Sequence, residues 1–354
     1  MNLFIFDSHK EVKDRKGVFL LSRPFLFNNK WFLDSENLQQ YGISLTEYKL
    51  VSHIHYAQRV IIPFPINLYH STHKMTDLYK LNEQCKQNNI FAYGFISGDF
   101  GTKYTDFSNI IYFRTSGYKT KLSQKNKGFP VALSDHFQRI YNRENITPLT
   151  KTEVPIVGFC GHATLSFSKR IKEIIKCSIE NTKRFFRNPL ETNYEVLFAS
   201  AYERAKVLSS LSKSDSIKTN FIVRKHYRAG AKSIQEREKT TLEYYNNILQ
   251  SNYVVCMRGA GNFSVRFYET LLMGKIPVFI NTDCLLPFEE TINWKNHLVW
   301  IEWKDRKNIA QIVSNFHNKL SNEEFINLQI INRKLWKETL SVKNMLQTIC
   351  NNQE

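Results

Sequence analysis

The chain has 354 residues, 42% of them hydrophobic and 14% aromatic, which excludes a disordered polymer and leaves enough apolar surface for two cores. No apolar run approaches the ~18 residues that a membrane-spanning helix needs. The formal net charge of +17 favours anionic partners, whether nucleic acid, acidic lipid or phosphorylated substrate, and does not choose among them.

Residues 1–150 read as a first α/β domain. Leu3 to Phe6 is a candidate opening strand, and the charged segment after it lacks the basic start and long apolar core of a signal peptide. Val60 to Phe64, Phe91 to Phe95 and Ile110 to Phe113 are further strand candidates, and Thr72 to Asn88 reads as a helix. His53 and His55 lie two apart, so on a strand they would share one face and could grip a metal. No third ligand is near them, which favours a structural or acceptor-side role. The loop Ile96 to Gly101 carries Asp99 between Gly98 and Gly101. An acid in that setting can approach a substrate or bond its own backbone to make a turn. Lys119 to Lys127 is polar and basic and reads as a loop. Asn142 to Glu153, with Pro148 and then Pro155, is the linker candidate, so the second domain spans 151–334.

In that second domain Val157 to Gly161 reads as a strand and turn. Ser168 to Phe186 is an amphipathic helix with an apolar stripe of Ile171, Ile174, Ile175, Ile179 and Phe186. Lys169, Lys172, Lys176, Lys183 and Arg187 lie mostly off the stripe, as an ordinary solvated face or as a contact with an anionic membrane surface. Phe221 to Val223 is a strand that ends at Arg224 and Lys225, which form either a basic surface loop or a pair of cations for a leaving diphosphate. Glu236 to Gln250 is a helix. Cys85, Cys160, Cys177, Cys256, Cys284 and Cys350 are scattered, with no metal-ligand spacing, as in a reduced, cytoplasmic setting.

Tyr253 to Phe288 is the most informative stretch. Tyr253 to Met257 is an apolar strand, Arg258 to Ser264 a Gly-containing turn, and a helix capped by Asn262 or Ser264 runs to about Met273. Gly274 sits where a helix-ending glycine belongs, and Ile276 to Ile280 is a second strand. The βαβ unit makes these strands parallel, so Arg258, Gly259 and Gly261 face the same crevice as Asn281, Thr282 and Asp283. A helix start with nearby glycines suits a phosphate, and Arg258 adds a fork of donors. Arg266 and Glu269 share a helix face from which a carboxylate can reach ribose hydroxyls. The sequon Asn262-Phe263-Ser264 falls inside this turn, where glycosylation would block it.

The pattern R-G-x-G-x-x-S-x-R-F-x-E, then L-x-x-G-x-I-P-V, then D-x-x-L-P-F resembles the C-terminal signature of the exostosin glycosyltransferase family. Arg258, Ser264, Arg266, Glu269, Gly274, Pro277, Asp283, Leu286, Pro287 and Phe288 fall on it. The family often has Cys where this chain has Lys275. The resemblance is strong over 246–303 and faint before it. It implies an α/β GT-B architecture of two Rossmann-like domains facing a cleft, with the segment of about 335–354 packing back on the first. It also implies a nucleotide-sugar donor, UDP-linked, with Ser264, Arg266, Glu269 and Asp283 on the family pattern; Arg224, Lys225, Gly259, Gly261 and Asn262 join them as donor-binding candidates by their place after the strands and in the glycine turn. Arg258 would act on the diphosphate, and Asp99 can be placed on the family acid as the base, ahead of Asp7, His9, His53, His55 and Asp135. The family histidine beside that acid is absent.

The expected chemistry is inverting transfer to a glycan or lipid-linked glycan, with no metal and no cofactor, for surface polysaccharide or lipopolysaccharide synthesis at the inner membrane face. Two rivals belong to other classes. Asp283 stands where an NAD-binding acid would sit in an oxidoreductase, but the third glycine of that fingerprint is Ser264. The charge suits a nucleic-acid-binding protein, but no such module is present and the cations are spread, so nucleic acid is not an expected partner.

Overall fold

A computed structural model describes residues 1–6, 17–28, 30–187, 189 and 194–351. The chain forms two compact units. One comprises Met1–Ala132, Leu285–Phe288 and the segment from Thr339 onward; the other comprises Leu133–Cys284 and Glu289–Glu338.

The first unit is built on six strands: β1 (Asn2–Ile5), β2 (Lys49–Leu50), β3 (Arg59–Ile61), β4 (Ala92–Ile96), β5 (Ile110–Arg114) and β6 (Asn126–Gly128). They lie in the order β2-β1-β3-β4-β5-β6, and every neighbouring pair is parallel. Parallel strands are covered on both faces, so their sequences read as apolar runs; all five residues of β5 are buried. Helix α1 (Met75–Gln87) buries Leu78, Leu81 and Cys85, spaced three and four apart, in the core with Val60, Ile62 and Ile110. Strand β6 corrects the expected loop over Lys119 to Lys127. It is a polar edge strand without an apolar signature, and Asn126–Gly128 pairs with Tyr112–Arg114. Gly128 is required there, because a Cβ would lie 2.4 Å from the carbonyl carbon of Leu286.

The second unit holds β7 (Ile156–His162), β8 (Lys218–Arg224), β9 (Tyr253–Cys256), β10 (Ile276–Asn281) and β11 (Val299–Glu302). Their order is β8-β7-β9-β10-β11, again all parallel. The helices are α2 (Phe167–Arg187), α3 (Ser200–Ser212), α4 (Ile234–Leu249), α5 (Val265–Leu272), α6 (Ile309–Lys319) and α7 (Asn322–Leu335). Ser233 with Glu236, and Ser321 with Glu324, form reciprocal capping boxes that start α4 and α7. The core combines Val157, Phe159, Val255, Val278, Val299 and Phe325. After α5 the chain turns at Gly274 with φ +62, and a Cβ there would lie 2.2 Å from Ile146 Cδ1.

Parallel α/β sheets agree with the expected fold class. The units divide after Ala132, earlier than the expected boundary at 150. The helix His136–Tyr141 is fastened within the second unit: Asp135 pairs with Arg333 at 2.6 Å, and the Tyr141 hydroxyl donates to Asn246 at 2.8 Å. Helix α7 ends at Leu335 and the chain continues as a π turn, Trp336–Leu340, before the helix Val342–Asn351.

Candidate active site

In the second sheet the chain passes from β7 outward to β8, then returns to β9 on the other side. The β7/β9 pair is therefore the topological switch point, where loops diverge beyond the carboxyl ends of the strands and leave a crevice. The turn after β9 is the Arg258 to Ser264 segment. Asn262, almost fully buried, clasps it: its Nδ2 donates to the carbonyls of Thr282 (3.0 Å) and Asp283 (2.9 Å), and its Oδ1 accepts from Thr282 Oγ1 (2.6 Å). The turns after β9 and β10 are thereby joined, and Asp283 is held at φ +65. This buried amide is taken up by backbone, so the folded chain offers no group for glycan attachment at the sequon.

Arginines line the crevice. Arg258 is buried, donates from Nη2 to Ala260 O at 3.0 Å, and lies 4.7 Å from the Phe198 ring centroid. Arg266 leaves α5 to donate from Nη2 to Cys160 O at 2.8 Å, with its guanidinium 4.3 Å from the Phe159 centroid. Gly161 leaves room for it, since a Cβ there would sit 2.7 Å from Arg266 Nη2. Arg204, from α3, bridges the two strands of the switch point by donating to His162 O at 2.6 Å and Arg258 O at 3.0 Å. Burial, and next the Arg266 charge, push the Arg204 guanidinium down to about 10, so it remains a cation at neutral pH. Arg204 and Arg266 donate to backbone carbonyls, and the buried Nε of each has no hydrogen-bond partner. Beside these cations Gly259 is open, with nothing within 4 Å of where a Cβ would stand. Ser264 caps α5 by position alone, without a side-chain bond to the helix, so the helix start retains free donors.

Glu269 lies one turn into α5. Its carboxylate accepts from the Tyr244 hydroxyl and, at 3.1 Å, from the Tyr245 hydroxyl, both on α4. Burial, and next the Glu269 charge, raise the Tyr244 pKa well above the phenol range, so the hydroxyl stays a donor. Arg266 faces the same tyrosine, with its guanidinium 5.7 Å from the Tyr244 centroid.

The structure thus gathers Arg258, Gly259, Gly261, Asn262, Ser264, Arg266, Glu269 and Asp283 around one turn. Arg224, at the end of β8 in register with His162, ion-pairs with Glu243 and donates to Thr240 O on α4, and Lys225 is solvent-exposed. In the first unit Asp99 is exposed, in the loop after β4, and its carbonyl accepts from Ser116 Oγ at 2.6 Å. The buried Arg114 braces that loop by donating to Phe100 O (3.1 Å), Thr102 O (3.0 Å) and Ser116 O. His53 and His55 are not on a strand. His53 caps a 3-10 turn, Ile54–Tyr56, and His55 lies within it, and the exposed rings stack with centroids 5.7 Å apart. Asp135 is engaged as a helix cap and ion pair, and Asp7 and His9 lie outside the described residues. Among the described residues no group of three or more His, Cys, Asp or Glu is placed to hold a metal, and no helix is long and apolar enough to cross a membrane. The site residues that sequence reasoning missed are Arg204 and Tyr244. Arg204 stands 54 positions before Arg258, and only the fold joins them.

Comparison with known proteins bears on this same region. Residues 188–316 match the Exostosin GT47 domain. A probable glucuronoxylan glucuronosyltransferase of Arabidopsis thaliana is 26% identical over 129 residues, 36% of this chain and 24% of that protein. An exostosin-1 homolog of Caenorhabditis elegans is 34% identical over 71 residues, 20% of this chain and 19% of that protein. These alignments span about a quarter or less of the relatives' own length. A solved structure of S. aureus TarM aligns with 78% of this chain and 59% of its own at 10% identity, with a TM-score of 0.31. The chain is exostosin-like, and the likeness is carried by residues 188–316, which hold the arginine-lined turn.

Proposed function

We propose that the chain is a nucleotide-sugar-dependent glycosyltransferase of the GT-B kind, whose second unit holds the donor diphosphate at the arginine-lined turn. One observation carries the reading: the buried Arg258 and Arg204 stand beside the open backbone of Gly259 ahead of α5, Arg266 reaches from α5 to β7, and Arg204 and Arg266 each keep an unused buried Nε donor. Buried cations whose hydrogen bonds go to carbonyls leave a site that favours an anion, and a helix start adds N–H donors. A diphosphate satisfies both. Glu269 then takes ribose hydroxyls, and the donor is a nucleotide-sugar, of UDP type. The names of the relatives, glucuronosyltransferases and exostosins, support transfer of a sugar to a glycan.

The proposed reaction is inverting. An acceptor hydroxyl on a glycan, free or lipid-linked, gives its proton to Asp99 and attacks the anomeric carbon. The bond from that carbon to the diphosphate oxygen breaks, and the electron pair leaves with the diphosphate. Arg258 and Arg266 stabilise that charge as it develops, the task a metal ion performs in other transferases, so none is required here. A screen of nucleotide-sugars for donor hydrolysis, run with and without EDTA, tests the reading. Turnover of at least one donor in EDTA is the expected result. Activity that vanishes in EDTA and returns with Mn²⁺ or Mg²⁺ would remove the metal-free mechanism, and no binding of any nucleotide-sugar by calorimetry would remove the function.

A further inference from the structure

Helix α2 is mounted with its apolar side outward. Ile171, Ile175 and Ile179 are 41%, 50% and 52% exposed, and Phe186, seven residues on, is 78% exposed. The opposite side is polar and pinned. Glu173 accepts from Ala201 N at 3.2 Å, Asn181 and Glu195 exchange bonds of 2.9 and 2.7 Å, and the buried Arg184 pairs with Glu195 at 2.7 Å. A soluble helix ordinarily buries such a stripe. Here the buried ion pair fixes the helix rotation, because turning the isoleucines inward would expose and break that network. The stripe is bordered on the same exposed side by Lys172, Lys176 and Lys183. Among the described residues of the helix no acid shares that side; Glu173 and Glu180 are both partly buried.

From this placement we infer that the outer face of α2 docks on an anionic lipid surface, lying in the interface plane with its isoleucines and Phe186 in the acyl boundary. The combination of an apolar stripe with a lysine border is what such a surface binds, through buried apolar area and attraction to anionic headgroups. Charge complementarity favours this occupant over a second copy of the chain. A symmetric dimer through this face would bring the lysines of each copy together, in a protein that already carries a net charge of +17. The inference does not depend on the proposed transferase activity.

Flotation of the full-length chain with vesicles tests it. Phosphatidylcholine vesicles containing about 30% phosphatidylglycerol should retain the protein at least about a hundredfold better than phosphatidylcholine alone, and salt should weaken the binding. The triple variant Lys172→Ala/Lys176→Ala/Lys183→Ala should lose about a hundredfold in partitioning to the anionic vesicles and little on neutral ones. The triple variant Ile171→Ser/Ile175→Ser/Ile179→Ser should lose binding to both. All six side chains are exposed, so both variants should fold, and unchanged melting curves would establish that. Equal partitioning to neutral and anionic vesicles would overturn the inference. So would wild-type binding by either folded variant, or a dimer in sedimentation equilibrium that the isoleucine variant dissociates while vesicles are ignored.

Discussion

The two units repeat one scaffold and use arginine in opposite ways. In the first, the buried Arg114 at the end of β5 turns its guanidinium onto the carbonyls of Phe100, Thr102 and Ser116, and the loop it braces exposes an acid, Asp99. In the second, Arg204 and Arg266 bond the carbonyls of their own sheet's switch point, yet each keeps a buried donor without a partner. One loop presents a proton acceptor and the other a surplus of positive charge. Those are the two needs of a displacement that deprotonates a hydroxyl and releases a diphosphate. The two loops also differ in their place relative to the switch points. The arginines stand at the β7/β9 switch point, whereas the first sheet has its own switch point at β1/β3, and Asp99 follows β4, one strand outside that pair.

Asp99→Asn tests the acid half and should have the largest effect. If Asp99 is the general base, a contribution of about 10²–10⁴-fold is lost, so transfer should fall by that factor while calorimetry shows donor affinity unchanged. Near-normal transfer would break the comparison on the side of the first unit and turn attention to residues after β1 and to His53 and His55. Arg258→Ala tests the cationic half. A residue that stabilises charge only as it develops should lower kcat by about 10²–10³ and raise KM far less. Arg258→Lys should rescue little, because the fork of donors is lost. An untouched kcat would make Arg258 a turn-holding residue, like Asn262.

What the sequence made legible follows from how each feature encodes itself. Strand β9 is buried throughout and β10 at all but its last residue, so both announce themselves as apolar runs, and the turn and helix between them carry Arg258, Gly259, Arg266 and Glu269 within twelve residues. Strands β2 and β6 are two and three residues long, and β6 is polar, so no periodicity marks them. Helix α3 buries Ala201, Val207, Leu208 and Leu211, a set too uneven to stand out before the fold is known. Its Arg204 reaches the site only because α3 packs on the sheet so that the guanidinium meets the carbonyl of His162 at the end of β7. Both tyrosines on α4 were visible as residues, but that their hydroxyls converge on Glu269, 25 and 24 positions later, is a product of tertiary packing.

Glu269 sharpens the comparison within the second unit, because it is the acid among the arginines. If its carboxylate holds the donor ribose, Glu269→Ala should raise the donor dissociation constant tenfold or more, as loss of a charge-assisted bond worth about 1.5–3 kcal/mol implies. Unchanged nucleotide affinity in the folded variant would assign Glu269 to the tyrosine network alone.

Tyr244→Phe carries the smallest expected effect and separates orientation from contact. The hydroxyl of Tyr244 donates to Glu269 and does not reach out to solvent, so its removal leaves the carboxylate in place but less restrained. Donor affinity should weaken by about two- to fivefold, in line with a hydrogen bond worth ~0.5–1 kcal/mol net. Tyr245 still donates at 3.1 Å and limits the loss. The pH dependence supplies the second readout. Burial, with the Glu269 charge behind it, holds the Tyr244 pKa well above its ordinary value, so the neutral donor form persists as pH rises and the bond is not lost through the alkaline range where a free phenol would ionise. The ratio of wild-type to Tyr244→Phe affinity should therefore stay constant from about pH 7 to about pH 10.5, past the ~10 at which a free phenol ionises. A ratio that collapses toward one within that window would show that the hydroxyl ionises there, and that Glu269 is oriented by something other than a neutral tyrosine donor.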